Sequence, residues 1–163
     1  VIDVRELSPD DWQVWRVLRL AALEEAPYAF GSQLSDWVDA KEERWRARLG
    51  IPGSRNVVAL LDGRPVGMVG GLPTEEDGVV ALVSMWIAPA GRGQGIGDRL
   101  MAAVEQWARD AEAHTLKLSV VAGNDKAHAL YLRSGFTDTD EPGDLMPDGI
   151  HHEQIMRKPL HRG

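Results

Sequence analysis

Apolar and polar positions change period several times along this chain, and each change marks an element. The opening Val1-Ile2-Asp3-Val4-Arg5 alternates and reads as a strand, not as a signal peptide. Ser8-Pro9-Asp10-Asp11 then carries the marks of a helix start: Ser8 as N-cap, Pro9 at the first helical position, acids in the first turn. Trp12, Trp15, Leu18 or Arg19, and Ala22 recur at helical spacing to about Leu23, and Ala26 to Gly31 breaks the pattern. A second helix is predicted from near Ser35 to Leu49, with Trp37, Trp45 and Leu49 apolar and Gly50 ending it.

The period then shortens. Asn56 to Leu61 and Pro65 to Leu72 are rich in strand formers and flank Asp62-Gly63, a favoured two-residue hairpin turn. Pro73 to Gly78 is an acidic loop. Val79 to Ile87 is so continuously apolar that it predicts a central strand covered on both faces. After a glycine-rich turn, Ile96, Leu100, Val104, Trp107 and Ala111 form the stripe of a long helix. Thr115 to Val121 reads as a strand and Asn124 to about Arg133 as a short helix, after which Gly135-Phe136 leads into another strand. An acidic loop, Asp138 to Gly149, precedes a last strand, Ile150 to Arg157. No repeat, linker or low-complexity segment interrupts this order. One α/β domain with a mixed sheet is predicted over residues 1–163.

Composition narrows the function classes. A chain of 163 residues can bury a core without disulfides or a structural metal. It holds no cysteine, which excludes disulfide frameworks, thiolate zinc sites and cysteine nucleophiles, and is compatible with a reducing cytosol. No apolar run approaches membrane-spanning length, so a soluble cytoplasmic protein with no membrane contact is expected. The 18 basic and 25 acidic residues give a net charge of −7, which repels phosphate backbones and argues against a nucleic-acid partner. The same balance suits a cationic amine.

The candidate chemistry begins where the strand ending in Met85-Trp86-Ile87 feeds Ala88-Pro89-Ala90-Gly91-Arg92-Gly93-Gln94-Gly95-Ile96-Gly97-Asp98. A glycine turn opening a helix presents unpaired N–H groups and the positive end of the helix dipole, which suits a pyrophosphate. Arg92 can add a positive charge at its mouth. A P-loop would need Gly-Lys-Ser/Thr, and the turn has no lysine. A dinucleotide fingerprint fails at its sixth position, which is Ile96 counted from Gly91 and Asp98 counted from Gly93.

The turn does resemble the acyl-CoA loop R/Q-x-x-G-x-G/A of the GNAT N-acetyltransferase superfamily, with Arg92, Gly95 and Gly97 in the defining positions. Downstream, Asn124, Ala127, Leu130, Tyr131, Gly135 and Phe136 fall in register with that family's N-x-x-A-x-x-L-Y-x-x-x-G-F. The resemblance is good from Asn56 to Phe136 and loose over the N-terminal helices. It implies a single GNAT-like domain with mostly antiparallel N-terminal strands, a splayed central strand pair and about four helices. It also implies direct acetyl transfer from acetyl-CoA to a primary amine, without a metal. The acceptor is expected to be a small molecule sooner than a protein. A homodimer is the assembly common among relatives.

Residue roles follow from the same resemblance. The pantetheine arm is expected to pair with backbone near Trp86 and Ile87, and the pyrophosphate to lie over Arg92, Gly93, Gln94, Gly95, Ile96, Gly97 and Asp98. Asn124, Ala127 and Tyr131 would border the arm, with Tyr131 protonating the departing thiolate and Asn124 assisting. Tyr28, Phe30, Trp37 and Trp86 are the candidates for the acceptor side. Many relatives carry a glutamate near the position of Ala81, which this chain lacks. Glu75, Glu76, His151 or His152 could serve as base through water, or the amine could bind already neutral.

Blander readings stand beside these. Tyr131 can be a core aromatic, and Asn124 needs no role beyond capping. His151 and His152 on one strand would face opposite ways, which disfavours a shared metal. The missing carboxylate also fits a CoA-binding regulatory or interaction module of the same fold that has lost activity.

Overall fold

Asp62 and Gly63 both take positive φ, 50° and 84°, as a type I′ turn requires, and so lay two strands side by side. The computed structural model describes residues 1–25, 34–121, 123–146 and 148–160. Strand β1 (Ile2–Leu7) is followed by a single 3-10 turn (Pro9–Asp11) and helices α1 (Trp12–Glu25), α2 (Leu34–Trp37) and α3 (Glu42–Leu49). Strands β2 (Arg55–Leu61), β3 (Arg64–Pro73) and β4 (Val79–Ile87) lead to helix α4 (Ile96–Asp110). Then come β5 (Thr115–Val120), α5 (Asp125–Arg133), β6 (Thr137–Leu145) and β7 (His152–Pro159). Among the described residues the sheet has seven strands in the order β1-β2-β3-β4-β5-β7-β6. Only the β4–β5 pair in it is parallel.

Both faces of the sheet are covered, which is why the central strands alternate so weakly. Val57 and Ala59 face α4 and pack with Leu100, Val104 and Trp107. Val58, between them, faces the other way and packs with Trp15, Leu18 and Trp45 of α1 and α3. The indole of Trp107 lies flat enough on β3 that a Cβ at Gly71 would sit 2.4 Å from its Cζ3. Gly71→Ala is therefore expected to lower Tm by roughly 3–10 °C, the cost of overpacking a domain of this size. An unchanged Tm in a thermal melt would show that the indole can move aside.

The structure corrects the sequence reading in three places. The helix expected from Ser35 to Leu49 is two helices, because the chain turns at Val38–Asp39 and Lys41 is extended. A continuous helix would hold Trp37 and Trp45 about 12 Å apart along its axis. The break brings their rings to 4.7 Å, and Trp45 Nε1 donates to the Ala40 carbonyl at 3.2 Å. The acidic stretch after Phe136 is half strand: β6 pairs with β7 with register shifts around Pro142, the place an edge strand tolerates proline. Finally, α4 ends at Asp110, so Ala111 is an exposed cap, while Met101 and Ala108 complete the buried stripe. The helix start at Ser8 stands, with its N–H donating to Asp11 Oδ2 at 2.8 Å.

Candidate active site

Strands β4 and β5 pair only from Val79 to Ala81 and from Thr115 to Lys117. Beyond that they part. β5 stays paired with β7 along its whole length, and β4 stays paired with β3 as far as Ile87. The parting coincides with Ser84, whose φ of 57° is rare for a residue with a side chain, and with a register shift against β3 between Met68 and Gly70. Between the diverging strands lies a cleft of about 440 Å³. Its walls include Trp86 and Ile87 from β4, Ser119 and Val120 from β5, and Asn124, Lys126, Ala127, Leu130 and Tyr131 from the start and face of α5. Glu25 and Arg92 close one side.

The glycine turn sits at the end of β4 and opens α4. Gly93 and Gly95 have φ of 78° and 77°, and an added Cβ at either would meet no atom within 4 Å. Gly95 is the N-cap of α4, so no side chain there caps the first-turn N–H groups. Gly97 is different: a Cβ there would lie 3.2 Å from Ile87 Cδ1, so this glycine allows helix and strand to pack closely. The Ile96 side chain belongs to the core, which leaves only its N–H for a ligand. Gln94 donates to the Ala90 carbonyl at 3.1 Å, and Asp98 is exposed, 3.8 Å from Arg133.

Arg92 does not project freely. Its Nε donates to the Ile87 carbonyl at 3.1 Å and its Nη2 to both oxygens of Glu25 at 2.6 and 2.9 Å. Glu25 also accepts from Trp86 Nε1 at 2.7 Å. The Arg92 hydrogen bonds, with help from Trp86, hold the Glu25 carboxyl below its ordinary range and keep it ionised at neutral pH. Sequence reasoning missed Glu25. It is the second of two acids at a helix end, a pattern with no chemical signal, and only the fold brings it to Arg92 and Trp86.

Asn124 caps α5, its Oδ1 accepting from Ala127 N–H at 3.4 Å, which leaves its NH₂ group to the cleft. The Tyr131 ring is buried edge-on against Phe136, centroids 5.9 Å apart, and burial pushes its hydroxyl up to about 12. Trp37 lies away from this cleft, in a second cavity of about 230 Å³. Tyr28 and Phe30 lie outside the described residues. Of the four suggested bases, none lines the cleft among the described residues. Glu76 pairs with Arg157 at 2.8 Å, and Glu75 is exposed. His151 precedes β7 and binds Asp148 at 2.6 Å, while His152 bonds the Gly143 carbonyl at 2.9 Å. The described residues contain no cluster of potential metal ligands and no helix long and apolar enough to cross a membrane.

A family model for the acetyltransferase (GNAT) family matches residues 14–136, which span α1 through Phe136. The chain belongs to the GNAT acetyltransferase family. Its sequence is 28% identical over 146 residues to an aminoglycoside N(6′)-acetyltransferase type 1 from Stenotrophomonas maltophilia, covering 84% of this chain and 87% of that one. Its fold is that of a GNAT-family acetyltransferase from Streptococcus pneumoniae, with a TM-score of 0.81 at 19% identity over 99% of this chain and 100% of the other. The yncA protein of Salmonella typhimurium, solved with its cofactor acetyl-CoA, superposes with a TM-score of 0.78 at 20% identity, covering 100% and 96%. The GNAT fold and the mixed sheet expected from the sequence are thus both present, with five helices among the described residues because the second predicted helix is two.

Proposed function

We propose that this GNAT protein transfers the acetyl group of acetyl-CoA directly to a primary amine of a small molecule. The observation that carries the proposal is the parting of β4 and β5 into a cleft with an open glycine turn and helix N-terminus at one end and Tyr131 in its wall. The name of the aminoglycoside-modifying relative supports a small amine acceptor. The open Gly93 and Gly95 and the uncapped first turn of α4 fit a pyrophosphate, and Lys126 in the cleft wall adds a cation.

Acetyl-CoA brings the acyl group as a thioester, which a neutral amine attacks at the carbonyl carbon. The unpaired edge of β4 beyond Ala81 offers backbone groups near Trp86 and Ile87 for the pantetheine amides. The NH₂ of Asn124 is a donor to the same arm, and the small Ala127 leaves room for it. Tyr131 protonates the leaving sulfur. Glu25 is the carboxylate bordering the cleft among the described residues, but its lowered pKa makes it an electrostatic anchor and a weak base. The amine therefore loses its proton to solvent through the open cleft.

Thermal unfolding with acetyl-CoA, CoA, ATP and NAD in parallel tests the reading. At about 100 times its Kd, acetyl-CoA is expected to add roughly 2.7 kcal/mol and raise Tm by about 5–10 °C, with no shift from ATP or NAD. Amine-dependent CoA release then separates an enzyme from a CoA-binding module without turnover. No shift with acetyl-CoA from folded protein would overturn both.

A further inference from the structure

Three described residues other than glycine take a positive φ, and two of them have an ordinary reason. Asp62 stands in the hairpin turn and Glu112 follows the C-cap of α4, both places that call for left-handed backbone. Ser84, with φ 57°, lies inside strand β4. There it opens a bulge: Trp86 faces Met68 and Val83 faces Gly70, so Ser84 and Met85 together stand against Val69. A left-handed first residue in a bulge is the place where glycine fits without strain. A serine there costs stability that a glycine would spare, which points to a use for the side chain outside folding.

The fold makes little use of it. Ser84 is half-buried, and its hydroxyl has no hydrogen-bond partner among the described residues. Its place is at a crossing. Among the described residues, Val83 and Ser84 line both the cleft between β4 and β5 and the second cavity, which Trp15, Trp37 and Trp45 wall together with Arg19 and Arg48. Val83 is apolar, so the Ser84 hydroxyl is the polar side-chain group at that crossing. A thioester held in the cleft and an acceptor entering from the cavity would meet beside it. An attacking amine needs such a group. Its lone pair must point at the carbonyl carbon, so its N–H bonds point elsewhere and need acceptors once water is displaced.

We propose that the Ser84 hydroxyl oxygen accepts a hydrogen bond from the attacking primary amine and so aims its lone pair at the thioester carbonyl. The assignment rests on the acetyltransferase reading and adds to it the group that orients the acceptor. As the N–C bond forms, the nitrogen gains positive charge, so the hydrogen bond it donates to Ser84 becomes charge-assisted and strengthens toward the transition state. The C–S bond then breaks, Tyr131 protonates the sulfur, and the nitrogen loses one proton to solvent while Ser84 holds the other N–H.

Two substitutions separate the hydroxyl from the backbone that carries it. Ser84→Ala removes the oxygen and keeps a side chain on the left-handed backbone, whereas Ser84→Gly removes the oxygen and the strain together. A panel of small primary amines is screened with the wild-type protein for CoA release from acetyl-CoA, and the fastest is used for both variants. Each variant is expected to lose roughly 10- to 100-fold in kcat, with a smaller change in KM. The Tm of Ser84→Gly should rise by about 1–4 °C and that of Ser84→Ala stay near wild type. Both should keep the acetyl-CoA-induced rise in Tm. A kcat for Ser84→Ala equal to wild type would overturn the proposal and leave acetyl transfer standing, whatever Ser84→Gly does. Loss of the acetyl-CoA-induced shift in both variants would make Ser84 part of the cofactor's seat, and a fall in Tm in both would make it a folding residue; either overturns the proposal. A wild-type protein that binds acetyl-CoA and releases CoA with no primary amine would remove acetyl transfer, and the role of Ser84 with it.

Discussion

Replacing Tyr131 with phenylalanine is expected to lower kcat by roughly 10²- to 10⁴-fold, the range a well-placed general acid contributes. The ring packs edge-on against Phe136, and phenylalanine keeps that contact, so Tm and the acetyl-CoA-induced shift should stay close to wild type. A phenol at about 12 is a poor acid toward a thiolate whose ordinary pKa is about 8.5. The wall that desolvates the phenol also disfavours the thiolate beside it, so a leaving sulfur in the cleft is a stronger base than in water. The direction of the shift sets the pH profile. Because Tyr131 stays protonated to about 12, no falling limb is expected up to pH 10. The rising limb belongs to the amine, since only its neutral form attacks and none of the suggested bases lines the cleft among the described residues. Log kcat/KM should climb with unit slope toward the amine's own pKa and level off there. Tyr131→Phe should retain that limb at a lower height. A variant as fast as wild type across the range would end the acid role, and a rising limb near pH 6 common to all amines would mean that a base of the protein has been missed.

The parts of this site that could be read from the sequence are those in which one short segment does the work. The turn from Gly91 to Gly97 and the run from Asn124 to Phe136 each place backbone and side chains within a few residues, so spacing alone orders them. The hairpin at Asp62-Gly63 and the apolar β4 were legible for the same reason. Glu25, Arg19 and Arg48 were not, because a buried or bridging charge on a helix is written in the same letters as a solvated one. Arg19 stands beside Leu18 on the apolar stripe, and Arg48 carries no chemical signal among the alternating charges of its segment. The break at Val38–Asp39 was hidden too, since Trp37 and Trp45 suit one continuous helix by period and meet only when the chain folds back. The acids of β6 resemble a loop because an edge strand is mostly wet.

The glycines of the turn from Gly91 to Gly97 divide by what a side chain would meet, and that division gives the second large effect. At Gly95 an added side chain touches no protein atom within 4 Å, but φ is 77° and the space it would fill is the approach to the first N–H groups of α4. Gly95→Val is therefore expected to weaken acetyl-CoA binding by roughly 10²-fold, the loss of one or two hydrogen bonds to a charged group. It should lower the Tm of the free protein only by the strain of a left-handed residue, about 1–3 kcal/mol or a few degrees. At Gly91 the φ is not positive, yet a Cβ would be 3.0 Å from Val66 Cβ and 3.1 Å from Ile96 Cδ1, inside the core. Gly91→Val should give the larger fall in Tm, and whatever protein remains folded should bind acetyl-CoA more tightly than Gly95→Val does. Titration calorimetry with CoA and melts of both variants check the pair. Were Gly95→Val to bind acetyl-CoA like wild type, the pyrophosphate would not lie over the first N–H groups of α4, and the open, left-handed Gly93 would be the position left to it in this turn. A crossed result, with affinity lost in Gly91→Val and stability lost in Gly95→Val, would contradict the packing itself.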